Sequence, residues 1–204
     1  ALKPMQDVNV ALDKKKQILA ALNIRELGDV ESAEKYKEVV KADMIVDANA
    51  QVIEAGEQGG EKAAFKLNSA DYKAGKLAVY VCEVDGKKKY VIPVYGMGLW
   101  GPIWGYIALD EDKDTVYGAY FNHDSETAGL GAEIKDSQAW QDQFKGKKVF
   151  AADGKEIAIA VKKKSDVKNP ASECDAVTGA TLTSDGVSLM LQDCFAKYIT
   201  YLKK

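Results

Sequence analysis

Histidine occurs once in these 204 residues, at His123, and that scarcity closes off more chemistry than any motif opens. A metal site built from several imidazoles is excluded. A Ser-His-Asp hydrolase would have to use His123, and no G-x-S-x-G elbow accompanies it. Cysteine is nearly as sparse: Cys82, Cys174 and Cys194 are too few for a disulfide framework and follow no zinc spacing. They read as small buried hydrophobes, with a single disulfide as the minor alternative. No run approaches the roughly 18 apolar residues of a membrane span. An excess of one charge is missing too: 28 Lys and Arg stand against 31 Asp and Glu, for a net charge of −3. That balance excludes the basic footprint of a nucleic-acid binder. The opening Ala1-Leu2-Lys3-Pro4 looks like neither a signal peptide nor a natural start, as expected of a processed or truncated chain. A chain with so few candidates for catalytic acid/base chemistry, if it performs redox or transfer chemistry, borrows its reactive group from a cofactor.

What is present is enough for one full core: 47% of the residues are hydrophobic and 29% charged, the ordinary mix of a folded domain. Residues 7–22 place Val8, Leu12, Leu19 and Leu22 near one helical face. A second helix is expected over about 30–42, with Asp29 as its N-cap. Residues 44–53 turn β-like, and the Gly-rich 55–63 reads as a loop. From residue 76 the period becomes two. LAVYVCEV and KKKYVIPV flank Asp85-Gly86, a hairpin signal, because both central residues of a type I′ turn need positive φ. IWGYIALD and TVYGAYFN predict a second hairpin, and residues 147–163 predict a third around Asp153-Gly154. Ser137–Phe144 suits a short helix presenting Trp140 and Phe144. Residues 184–202 carry Val187, Met190, Leu191, Cys194, Phe195, Tyr198, Ile199 and Leu202 at the spacing of a long amphipathic helix. Helices at both ends with consecutive antiparallel strands between them predict an α+β single domain, an antiparallel sheet with flanking helices. Residues 1–42 form an N-terminal helical arm in this reading and 43–204 the body.

Three glycine-bearing stretches are candidate binding loops. Gly96-Met97-Gly98-Leu99-Trp100-Gly101 matches the dinucleotide fingerprint G-x-G-x-x-G letter for letter. That motif needs a helix next, whereas Pro102 and an alternating strand pattern follow. A loop between strands, holding Leu99 and Trp100 near a pocket, is the better reading, and a pyridine-nucleotide dehydrogenase the weaker one. The second stretch runs from His123 to Gly131. Its glycines would let backbone N–H groups face a ligand, although an ordinary connecting loop looks the same. The third, Asp175-Ala-Val-Thr-Gly-Ala-Thr181-Leu-Thr183-Ser184, lies just before the last helix. Small and hydroxyl residues there favour a phosphate, because unpaired N–H groups and the helix dipole face it. Capping by Thr183 or Ser184 in a domain without redox function is the plainer alternative.

The third stretch resembles the D-x-x-[S/T]-G-A-T signature of FMN-binding domains modified by a flavin transferase. In that family the last Thr accepts FMN through its phosphate, taken from FAD with release of AMP, and Thr181 occupies its place. Pro93-Val-Tyr-Gly-Met-Gly-Leu-Trp100 and His123–Ala132 are similar to segments of the NqrC proteins, which belong to sodium-translocating NADH:quinone oxidoreductases. Gln6, Asn9-Val10-Ala11 and Asp13 resemble the stretch that follows their single membrane helix. Ala128 departs from the family's usual Pro, and Thr178 from its commoner Ser. The resemblance implies an electron-transfer flavoprotein subunit of a membrane respiratory complex, carrying covalent FMN on residues 43–204. Its expected partners are the other subunits and a flavin transferase, and its expected place is the periplasmic face of a bacterial inner membrane. The related FMN-bearing protein of the ferredoxin-oxidising electron-transport complex is the alternative. The implied contacts are Leu99, Trp100 and Leu130 flanking the ring and Glu126, Thr127 and Gly131 giving polar or backbone contacts. Lys162 would be the cation near the phosphate, and Gly179, Ala180 and Thr183 would frame the attachment.

Overall fold

The computed structural model describes residues 2–204, with side chains from Met5 onward; Ala1 and the side chains of Leu2, Lys3 and Pro4 lie outside the described residues. The chain opens with α1 (Leu2–Ala21) and α2 (Asp29–Val39), then β1 (Val40–Val46) and β2 (Val52–Glu54). A short α3 (Ser69–Lys73) leads into β3 (Leu77–Val84), β4 (Lys87–Met97), β5 (Pro102–Leu109) and β6 (Val116–His123). After these come α4 (Glu133–Asp136), α5 (Gln138–Asp142), β7 (Ala160–Lys162), β8 (Glu173–Asp175), α6 (Thr181–Lys197) and α7 (Ile199–Leu202). Six strands form one antiparallel sheet in the order β2-β1-β3-β4-β5-β6. The period-two pattern sorts its side chains. Leu77 and Val79 face a core shared with Trp140, Phe144, Val187 and Leu191, while Ala78, Tyr80 and Cys82 face one shared with Ile18, Leu22, Tyr36 and Val39. The sheet therefore lies between α1–α2 and α4–α6. This is the α+β single domain expected.

The two strand hairpins form as read, and at the first of them Asp85 and Gly86 have φ of +52° and +74°. All three cysteines are buried free thiols. Four local expectations need correction. Only the C-terminal half of α1 lies on the sheet: Ile18, Leu19 and Leu22 are buried, Leu12 is half-buried and Val8 is exposed. Asp29 does not cap α2. Gly28 holds that position, Asp29 sits in the first turn paired with Lys16, and the helix gives way to β1 at Val40. The third hairpin stops after one bridge, Phe150 to Ile157, because the Ala158 and Ile159 N–H groups both turn to the Val149 carbonyl. The residues beyond it pair in parallel, β7 with β8. The final helix begins three residues early, at Thr181, and is broken at Tyr198, whose hydroxyl donates to the Ala78 carbonyl at 2.8 Å.

Lys14 carries the cleanest pH signature of the α1 face. Its Nζ donates to the Phe65 carbonyl at 2.8 Å and lies 4.6 Å from that ring's centroid. Burial lowers its pKa from 10.5 to about 8, against the opposing pull of Asp43. Between those values the unfolded chain holds a proton that the folded one has shed, so this group's contribution favours folding more as pH rises. Denaturant titrations across that window should show wild type gaining on Lys14→Met with increasing pH. A difference that stays flat contradicts the assignment.

Candidate functional site

Three loops converge at one end of the sheet. Residues 98–101 join β4 to β5 in a tight turn closed by Gly98 N–H donating to the Gly101 carbonyl at 2.8 Å. No helix follows, so the dinucleotide reading of Gly96–Gly101 has no structural support. The second loop leaves β6 after His123, and the third runs from β8 into α6. The third is anchored from behind: Trp140 Nε1 donates to the Asp175 carbonyl at 2.8 Å, and Trp140 packs against Phe121 and Phe144 at 5.6 and 5.5 Å between ring centroids. Gly179 then turns the chain with φ +76°, a conformation that strains any residue with a Cβ.

Where the loops meet is a cavity of about 420 Å³. Leu99, Trp100, Leu130 and Leu182 give it apolar walls while remaining 47%, 65%, 43% and 60% exposed. Thr127, Gly131, Gly179, Ala180, Thr181 and Thr183 complete the lining. Nine of the eleven residues singled out from sequence thus share one cavity. Lys162 lies in an adjoining charged cleft of about 500 Å³ with Lys163, Lys168, Asp166 and Asp185, and Thr181 lines that cleft as well. Lys162 is also paired with the buried Glu173.

Glu126 faces the interior. Its Oε1 accepts from Leu99 N–H and from Thr183 Oγ1, each at 2.7 Å, and its Oε2 accepts from Trp100 N–H at 2.8 Å. Burial pushes this carboxyl up, but those three hydrogen bonds and nearby His123 outweigh it and hold the pKa below the ordinary carboxylate value. His123 has a structural contact, its Nδ1 accepting from Glu126 N–H at 3.1 Å.

Thr183 and Ser184 are not caps. Thr183 Oγ1 is spent on Glu126, and Ser184 Oγ accepts from Val177 N–H at 3.0 Å while donating to the Ala180 carbonyl at 2.9 Å. Ala180 holds the N-cap position without a side-chain bond. Among the described residues the N–H groups of Thr181, Leu182 and Thr183 have no acceptor. Unpaired donors on a first turn that carries no acidic residue suit a phosphate, and the apolar cavity beside them suits an aromatic ring. The donor set therefore fits a flavin mononucleotide. Leu182 was missed from sequence, although its place directly after Thr181 was a usable signal. Asp185, Lys163 and Lys168 were missed because only the fold brings β7 beside α6.

The FMN-binding domain family matches residues 98–196, which include all three loops. The NqrC protein of the Na⁺-translocating NADH-quinone reductase from Haemophilus ducreyi is 34% identical over 201 residues, covering 91% of this chain and 77% of that protein. Its Vibrio anguillarum counterpart is 34% identical over 199 residues, with the same coverages. The crystal structure of the corresponding protein from Parabacteroides distasonis superposes with a TM-score of 0.91 at 36% identity, over 100% of this chain and 98% of that one. Shewanella oneidensis NqrC shares the fold, with a TM-score of 0.77 at 24% identity over 95% and 96% of the two chains.

Proposed function

The chain belongs to the NqrC family of Na⁺-translocating NADH-quinone reductases, and from that premise we propose that it relays electrons in such a membrane complex through FMN esterified to Thr181. The observation that carries the attachment is the position of Thr181, which alone among the described residues lines both the apolar cavity and the lysine-bearing cleft. Leu99, Trp100, Leu130 and Leu182 hold the ring and exclude water from its faces. The N–H groups of the first α6 turn bind the phosphate, and Lys162 offsets its charge. Bound there, FMN supplies reversible electron acceptance and donation, while the chain fixes where that happens and at what potential. Attachment through the phosphate leaves the ring system unmodified, so the potential is set by these contacts.

Maturation on this reading needs a flavin transferase. The Thr181 hydroxyl loses its proton and bonds to the flavin phosphate of FAD, and the bond to AMP breaks. The domain works on the periplasmic face of a bacterial inner membrane beside the other subunits of the complex. Among the described residues no helix is long and apolar enough to cross a membrane. Intact mass of denatured protein co-expressed with a flavin transferase tests the proposal. A gain of FMN less one water, mapped to the peptide containing Thr181, is expected. An unmodified mass alongside a control acceptor that is modified overturns it.

A further inference from the structure

Glu126 holds together two walls of the site that are far apart in sequence. Its carboxylate takes the backbone N–H groups of Leu99 and Trp100 from one loop and the Thr183 hydroxyl from the first turn of α6, 57 residues further along the chain. The surroundings are shaped to this contact. A Cβ on Gly98 would sit 2.2 Å from Glu126 Oε1, and one on Gly131 would sit 2.5 Å from Thr183 Oγ1. Both glycines give way so that the carboxylate and the hydroxyl can meet. Glu126 is absent from the cavity lining and is only 7% exposed, so its oxygens serve the protein and not the cavity.

Resting on the reading that Thr181 accepts the flavin phosphate, we infer that Glu126 and Thr183 form an interior brace. The brace fixes the Leu99–Trp100 wall against the helix turn that presents Thr181, with Glu126 acting from behind the cavity lining and Thr183 at its edge. Leu99 and Trp100 on one wall and Leu182 on the other are open to solvent, so the contact behind them sets their spacing. Removing the carboxylate leaves the Leu99 and Trp100 N–H groups and the Thr183 hydroxyl without their acceptor, and removing the hydroxyl cuts the only side-chain bond from Glu126 to α6 among the described residues. Either change frees the loop to relax outward toward water.

The apo chain serves for the test. Glu126→Gln presents amide hydrogens to donors that need an acceptor. Thr183→Val removes one hydroxyl at constant shape, and Thr183→Ser restores it. The rate of FMN addition from FAD by a purified flavin transferase is followed by intact mass. Solvent access to the Trp100 indole is followed by acrylamide quenching, with Trp100→Phe as the reference. We expect Glu126→Gln and Thr183→Val to lower the rate about tenfold or more and to raise Trp100 quenching, with Thr183→Ser close to wild type. The double variant should be no worse than the poorer single one, the signature of partners in one contact. Wild-type rates and wild-type quenching in both single variants overturn the brace. If Glu126→Gln does not fold, Thr183→Val and its serine rescue decide alone. If the wild-type chain itself gains no mass, the attachment reading fails, and the quenching and double-variant comparison still decide the brace.

Discussion

Thr181→Val yields a folded protein that takes no covalent flavin. The substitution preserves shape and β-branching, and Thr and Val have nearly equal helix propensities, so α6 loses little. The hydroxyl it removes is the free one. Thr183 and Ser184 donate to Glu126 and to the Ala180 carbonyl, whereas Thr181 opens onto both the apolar cavity and the charged cleft. Stability should therefore stay within about 0.5 kcal/mol of wild type, the range of substitutions away from buried networks. Label in denatured protein should fall to nothing, because neither neighbouring hydroxyl can reach a ligand without giving up an interior bond. Thr181→Ser keeps a nucleophile at the same helix position and should keep the label. In-gel flavin fluorescence with peptide mapping reads both. Flavin retained by Thr181→Val through denaturation would show that another residue carries it.

The three hydroxyls look alike in the sequence, and that is where reading residues in order reached its limit. Thr183 and Ser184 precede an amphipathic run and satisfy every local rule for a cap. What turns them inward are partners at Glu126 and Val177, the first of them 57 positions away. The same distance hides the role of Glu126, since a carboxylate in a glycine-rich loop reads identically whether it meets a ligand or a buried backbone N–H. The Asp85-Gly86 hairpin, by contrast, was legible because its turn and both strands lie within one short window. The β7–β8 pair was not: each strand has three residues, too few for a period, and Val161 N–H is held from a third element by Ser188 Oγ at 3.1 Å. Most of the pocket lining was legible through the family resemblance, which marks positions. Which of those positions face the cavity and which support it from behind is a property of the fold.

Gly186→Ala should destabilise the protein even though helix propensity predicts a gain. Replacing glycine by alanine in the interior of a helix normally stabilises by about 0.8–1 kcal/mol. At this position, however, the added Cβ would lie 2.4 Å from the Met97 carbonyl oxygen and 3.3 Å from the Gly98 Cα. Both are backbone atoms at the end of β4, and Met97 is held there by its pairing with Pro102 on β5, so neither can swing aside as a side chain would. The helix must retreat instead. Overpacking of this kind costs roughly 1–3 kcal/mol, which outweighs the propensity term. Net of that propensity gain up to about 2 kcal/mol is lost, which for a chain of this size corresponds to a fall in Tm of up to about 8 °C. The retreat also separates Thr181 from Leu99 and Trp100, since Gly186 lies just over one turn along α6 from Thr181 and touches the strand end that leads into their loop. Flavin addition should therefore slow along with the loss of stability. Gly129→Ala controls for a generic glycine effect: nothing lies within 4 Å of its Cβ position, and its φ of +74° strains the loop without touching α6. It should lose stability through backbone strain alone. A Gly186→Ala protein that melts higher than wild type would mean that β4 and α6 are less tightly apposed than these distances require, and that the pocket tolerates a shift of its attachment helix.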